Sequence, residues 1–111
     1  MSAESSLTFY GIKYRIEAEE AESVDIRKHH LVQKARAHGL TYFFENVGGA
    51  GPAEYCLYIG AKLGVTGPEN DFKVEMSAQD IRGLLSNVES KLTDAGFTES
   101  PKLHMQWLPD V

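Results

Sequence analysis

Residues 77–97 read SAQDIRGLLSNVESKLTDAGF and carry the start, the apolar face and the end of one helix. Ser77 is placed to accept a hydrogen bond from the free backbone amides of a first helical turn. At about 100° per residue, one face collects the apolar side chains, which are those of Ile81, Leu84, Leu85, Val88, Leu92 and Ala95. Gly96 can adopt the left-handed conformation that ends a helix, and Phe97 can then pack back onto it. The segment therefore predicts a helix over Ala78–Ala95 that covers one core.

Four other stretches are predicted to be strands. Residues 7–18, 55–63 and 102–108 alternate between two sets of side chains with the period of two that is typical of strands. Residues 41–47 contain Tyr42, Phe43 and Phe44, and aromatic residues favour strands. Residues 48–52, GGAGP, lie between the stretches 41–47 and 55–63 and predict the tip of a hairpin that joins them. Phe72, Val74 and Met76 alternate briefly as well, and the sequence leaves open whether they add a fifth strand.

A second helix is predicted between the first two strands. Five acidic residues crowd residues 17–25, and apolar side chains then recur at helical spacing up to Gly39, a typical helix end. Residues 26–38 contain bases and no acid, which suits the negative end of a helix dipole. We expect an exposed acidic turn followed by one helix of about four turns.

The predicted element order is β-α-β-β-(β)-α-β, in which the bracketed strand is residues 72–76. Without that strand the order is ferredoxin-like, an α+β fold whose antiparallel sheet carries two helices on one face. With it, the element order is similar to that of the double-stranded RNA-binding domain. That family's second helix has a lysine-rich start, whereas Ser77, Ala78, Gln79 and Asp80 stand at this place here. We therefore expect the ferredoxin-like arrangement.

Length and composition bound the class of protein. A chain of 111 residues predicts one domain over residues 1–111, with residues 1–6 disordered. A formal net charge of −5 argues against general nucleic-acid affinity, because that binding neutralises phosphates. The sequence shows neither a long apolar segment nor a signal-peptide pattern, so we expect a cytoplasmic protein that does not enter a membrane. The single cysteine, Cys56, and the lack of spaced His or Cys ligands predict no disulfide, metal or cofactor.

We expect one phase of the strands to face the helices, and it comprises Tyr10, Ile12, Tyr14, Ile16, Leu57, Ile59, Leu103, Met105 and Trp107. The pleat then puts the alternate side chains on a second face of the predicted sheet. We expect this face to be open to solvent and to combine aromatic rings with bases, although the whole protein is acidic. Its candidate binding residues are Phe9, Lys13, Arg15, Tyr58, Lys62 and His104, with Cys56, Lys102 and Gln106 on the same face. The sequence contains no known nucleophile motif, so it predicts no catalytic residue.

Three functions are consistent with such a face. The first, ranked highest, is a non-enzymatic interaction module that dimerises or docks a protein partner through the open sheet. The second is binding of single-stranded RNA or other nucleic acid, with bases stacked on Phe9 and Tyr58 and phosphates on the neighbouring lysines and arginine. The third is a small-ligand binder or enzyme with a site near His104 and Tyr58, where the imidazole could act as acid or base.

Overall fold

A four-stranded antiparallel sheet forms the centre of the computed structural model, which describes residues 5–23, 25–48, 50–67 and 73–108. The strands are β1 (Ser5–Ile16), β2 (Thr41–Asn46), β3 (Tyr55–Thr66) and β4 (Lys102–Leu108). The α-helices are α1 (Ala18–Ser23), α2 (His30–Ala37) and α3 (Ala78–Ala95), and a short 3₁₀ helix spans Ile26–Lys28. The predicted class, α+β with an antiparallel sheet, is confirmed.

The long central strands of the sheet are β1 and β3, with 12 residues each. They pair over almost their whole length, with Gly11 directly opposite Gly60 and one irregularity between Thr8 and Phe9. The first half of β3 also pairs with β2, and the first part of β1 pairs with β4. The strand order is β2-β3-β1-β4, so that β2 and β4 are the edges of the sheet.

The bounds of α3 are those predicted from the sequence, and the predicted residues close both of its ends. Ser77 Oγ accepts a hydrogen bond from the Asp80 amide at 3.1 Å. Gly96 is left-handed, with φ of 89°. The Phe97 amide donates to the Leu92 carbonyl at 3.0 Å, which together with the left-handed glycine forms a Schellman motif.

The prediction of one four-turn helix between the first two strands is wrong. The acidic segment itself forms α1, and the rest divides into the 3₁₀ helix and the eight-residue α2. The division occurs because two side chains cap new helical starts: Asp25 accepts from the Arg27 amide at 3.0 Å, and His29 Nδ1 accepts from the Leu31 amide at 3.2 Å. With ψ of 138°, His29 has an extended backbone that interrupts the helix.

The main core lies between the sheet and the two longer helices. Helix α2 packs against β2 and β3, and α3 packs against β1 and β3. The buried residues of this core are Tyr10, Ile12, Ile16, Val32, Ala35, Leu40, Leu57, Ile59, Val88, Leu92 and Phe97. The predicted helix-facing phase of β1 and β3 is therefore confirmed.

The structure corrects one prediction about a short segment and bears on a question that the sequence left open about another. Ser5 and Ser6, expected among disordered N-terminal residues, begin β1 and pair with β4. Residues 73–76, considered as part of a fifth strand, form no strand. Phe72 and residues 1–4 lie outside the described residues. The side chain of Val74 instead lies over Gly64 of β3, where an added Cβ would be 2.6 Å from Val74 Cγ2. Residues 73–76 therefore contact the sheet through the Val74 side chain and not as a strand.

Candidate functional site

The helix-free face of the sheet contains a second apolar cluster. Its central residues Leu7, Phe9, Cys56 and Tyr58 are each 0% exposed, with Phe43, Val47, Val65 and Leu108 packed against them. The expectation that Phe9 and Tyr58 present exposed rings is therefore wrong. The rings cover one another: the centroid of Tyr58 lies 5.5 Å from that of Phe9, 6.3 Å from that of Phe43 and 5.4 Å from that of His104.

Tyr58 is the centre of this cluster and is held from several sides. Its hydroxyl donates a hydrogen bond to Gln106 Oε1 at 3.0 Å, and Lys13 Nζ lies 5.9 Å from the ring centroid. Burial raises the pKa of Tyr58 to about 12, with a smaller contribution from the nearby Cys56 and Glu54 groups. The phenol is therefore neutral at physiological pH and is engaged within the fold.

The four basic candidates on this face form a rim around the closed aromatic cluster. Lys13, Arg15 and Lys62 are exposed. Arg15 lies 3.6 Å from a Glu54 carboxylate oxygen, an exposed ion pair that contributes little to stability. His104 is half-buried, and its Nε2 lies at 3.0 Å from the Gly11 carbonyl, to which it donates. All six candidate residues therefore lie on the helix-free face. Two of them, Phe9 and Tyr58, are buried within its apolar cluster.

A notch of about 290 Å³ lies beside His104. Its walls are formed by Gly11, Ile12, Lys13, Glu99, Ser100, Lys102 and His104. The chemistry available here is limited, because His104 Nε2 is occupied by a backbone carbonyl. Cys56 is fully buried, and burial raises the pKa of its thiol more than the nearby Lys13 lowers it. A protonated, buried thiol is a poor nucleophile.

A second concavity, larger than the notch, is an apolar groove under α3 with a volume of about 460 Å³. Residues of α3, of the sheet and of the segment before the helix form this α3 groove: Tyr10, Leu63, Val74, Glu75, Met76, Ile81, Leu84, Leu85 and Leu103. Tyr10 anchors one wall, because its hydroxyl donates to Glu89 Oε1 at 2.9 Å. The first turns of α3 therefore cover their side of the sheet incompletely.

The apolar side chains of β4 continue this surface to the edge of the sheet. Leu103, Met105 and Trp107 are 57%, 76% and 55% exposed, and we call them the β4 stripe. Leu103 lies opposite the core residue Tyr10 of β1, so the stripe is on the helix-bearing face, as its phase predicts. The stripe stays exposed because the two longer helices pack mainly over the other three strands.

Sequence reasoning placed the β4 stripe in the core and thereby missed it as a surface. The alternation of residues 102–108 gives the face of each side chain but not how far the helices extend over that face. An available signal was the ferredoxin-like order, in which the last strand is expected at an edge, where burial is weakest.

Three further findings concern metal ions, membranes and known proteins. Among the described residues, no three His, Cys, Asp or Glu side chains are grouped closely enough to hold a metal ion. Within the same part of the chain, no helix has the length and apolar character needed to cross a membrane. Comparisons with protein-family models, curated proteins and solved structures return no match for this chain.

Proposed function

We propose that the protein is a small non-enzymatic interaction module that binds a protein surface through the β4 stripe and the adjoining α3 groove. One observation carries this proposal: Leu103, Met105 and Trp107 are more than half exposed in a row on an edge strand. Contiguous exposed apolar side chains usually mark an interface, in which aromatic residues and methionine are enriched. An unpaired strand edge also offers backbone donors and acceptors to a partner.

The helix-free face supports the alternative functions less well. Stacking of bases requires accessible rings, and those of Phe9 and Tyr58 are 0% exposed. The exposed lysines and the arginine of the rim remain, but they belong to a chain of net charge −5. An enzyme using Cys56 or Tyr58 would need a group that ionises near neutral pH, and burial raises the pKa of both.

We also propose that the architecture is the ferredoxin-like split βαβ fold. The order of strands, β2-β3-β1-β4, and the helices α2 and α3 in the two crossovers support this assignment. Helix α1 and the 3₁₀ helix are then additions to the first crossover. The cytoplasmic location remains a prediction from the sequence.

The substitution Met105→Glu tests the proposed function. The charge falls on the most exposed member of the β4 stripe, so we expect a change of less than about 0.5 kcal/mol in the free energy of unfolding. Binding should be lost, because a carboxylate cannot be buried unpaired in an apolar contact. Self-association is measured by sedimentation equilibrium up to near-millimolar concentration. Any protein that the immobilised chain recovers is first purified, and its binding to the parent chain and to the variant is then measured by titration.

The matched control is Ser86→Glu, which adds the same charge to an exposed position of α3 away from the groove. It should bind like the parent chain. The proposal is overturned if the parent chain neither self-associates nor binds a purified protein, or if Met105→Glu leaves such binding unchanged.

A further inference from the structure

We propose that the partner at the β4 stripe is a second copy of this chain, joined through antiparallel pairing of β4 with β4 about a two-fold axis at Met105. The pairing would continue the two four-stranded sheets into one of eight strands. This inference rests on the proposed function, because it names the partner of the same surface. It is carried by the edge position of β4, by the symmetry of its side-chain pattern and by the position of the α3 groove.

The side-chain pattern of β4 is symmetric about its centre. Met105 is the middle residue of the seven in Lys102–Leu108. Apolar residues Leu103 and Trp107 lie two positions to either side, and polar residues His104 and Gln106 lie one position to either side. An antiparallel strand that pairs with its own copy about this residue therefore meets the same kind of side chain at each of these positions.

The resulting cross-strand pairs are compatible on both faces. On the helix-bearing face, Leu103 would lie opposite the partner copy's Trp107, and Met105 opposite its own counterpart. On the helix-free face, His104 would lie opposite the partner copy's Gln106. Such opposed pairs are the unit of sheet stabilisation, and no like charges face each other, because Lys102 lies opposite Leu108.

Other registers of the same pairing are less favourable. A shift of the axis to His104 would place the two imidazoles opposite each other and bring Met105 opposite Leu103, leaving both copies of Trp107 unpaired. A pairing displaced by one residue would place apolar side chains opposite polar ones and put the helices of the two copies on opposite faces. The axis at Met105 avoids both costs.

The α3 groove gives the partner's indole a place to bind. Leu103 belongs to the β4 stripe and also lines the groove, as does Ile81 of α3. Since strands in a sheet are about 4.8 Å apart, the partner copy's Trp107 would start beside Leu103 and could lie across it towards Ile81. Ile81 is itself an exposed large apolar residue. Two such contacts, related by the axis, would close both grooves.

The intrinsic fluorescence of the protein reports on this contact directly, because Trp107 is the only tryptophan in the sequence. We expect the emission maximum to shift to shorter wavelength as the parent chain is concentrated, together with a rise from monomer to dimer mass in sedimentation. Met105→Glu should abolish both changes and Ser86→Glu neither. A shift without dimer mass, or a dimer without a shift, would contradict the proposed contact.

The register is tested by the substitution Met105→Cys in the full chain. Residues at the axis of an antiparallel pair have Cα atoms about 4.5–5.5 Å apart, which suits a disulfide. Cys56 is buried and does not compete for the oxidant. Mild oxidation should therefore link Met105→Cys chains into a covalent dimer, with a yield that falls on dilution.

Lys102→Cys is the matched control on the same strand. In the proposed register this residue lies opposite Leu108 of the second copy. The two substituted residues are then six positions apart along the strand, about 20 Å, so no disulfide should form between them. Equal linking of both variants would overturn the register. A parent chain that stays monomeric yet binds another protein in a manner sensitive to Met105→Glu would overturn this inference and leave the proposed function intact.

Discussion

Gly11 and Gly60 allow the two central strands to approach each other closely. They lie directly opposite each other, and a Cβ on Gly11 would be 2.0 Å from the Ile59 carbonyl oxygen. A Cβ on Gly60 would be 2.1 Å from the Tyr10 carbonyl oxygen. Phe9 and Tyr58, each two residues before one of these glycines, share their face, and their rings meet across the glycine pair. The closed cluster on the helix-free face therefore depends on two residues without side chains.

Gly11→Ala should destabilise the protein by about 3 kcal/mol, because the new methyl group clashes with backbone that cannot move without breaking the sheet. Gly83→Ala is the control, since an added Cβ there has no other atom within 4 Å. In the middle of α3 this second change should stabilise by about 0.5–1 kcal/mol. Denaturant unfolding of both variants checks the prediction, and equal effects of the two substitutions would contradict it.

The short length of α2 leaves part of the sheet without a helix above it. With eight residues, α2 is about 12 Å long and covers only part of its neighbouring strands. The apolar face of α3 must cover the remainder, and Ile81 at its start is still exposed. The α3 groove and the β4 stripe are the part of the sheet that the two helices cover incompletely.

Ser77→Ala should destabilise the protein by about 1 kcal/mol, because the Asp80 amide loses the acceptor that caps α3. Ser90→Ala, at an exposed position inside the same helix, should have no destabilising effect, since alanine is the better helix former. Thermal and denaturant unfolding of the two variants provide the comparison. A loss at Ser90 as large as that at Ser77 would mean that capping is not the cause.

The whole molecule packs buried tyrosines on both faces of one sheet. Tyr10 lies in the main core and Tyr58 in the helix-free cluster, and burial raises the pKa of each from 10.0 to about 12, with Glu89 adding to the rise at Tyr10. Burial also raises the pKa of Tyr14, and the nearby Glu99 carboxylate adds to this rise. Folding therefore keeps phenol protons that an unfolded chain would release.

This arrangement predicts a loss of stability in alkaline solution. Above about pH 10 the unfolded chain loses phenol protons that the folded chain keeps until about pH 12. The unfolded state then binds fewer protons than the folded state. The free energy of unfolding therefore falls as the pH rises through this range. The tyrosine contribution is fully present below pH 10. Denaturant midpoints measured from neutral pH to about pH 12 should show this fall. Tyr58→Phe should make the fall less steep, and an unchanged slope would remove Tyr58 from the explanation.

The sequence by itself determined the elements whose signals are local. Ser77 and Gly96 bound α3, and strict alternation bounds β4, because a cap or a pleat depends only on neighbouring residues. Alternation also placed Phe9, Lys13, Tyr58 and His104 on one face. The division of the first helical region was not predicted, since the capping roles of Asp25 and His29 compete with a helical pattern that continues through them.

Exposure was decided only by the tertiary structure. The pairing of Gly11 with Gly60 closed the rings of Phe9 and Tyr58 against each other, and the edge position of β4 left Met105 and Trp107 in solvent. Burial depends on which distant segments lie above a side chain, and periodicity records only the direction in which that side chain points. For this reason alternation predicted on which face each of these side chains lies but not which of them are exposed.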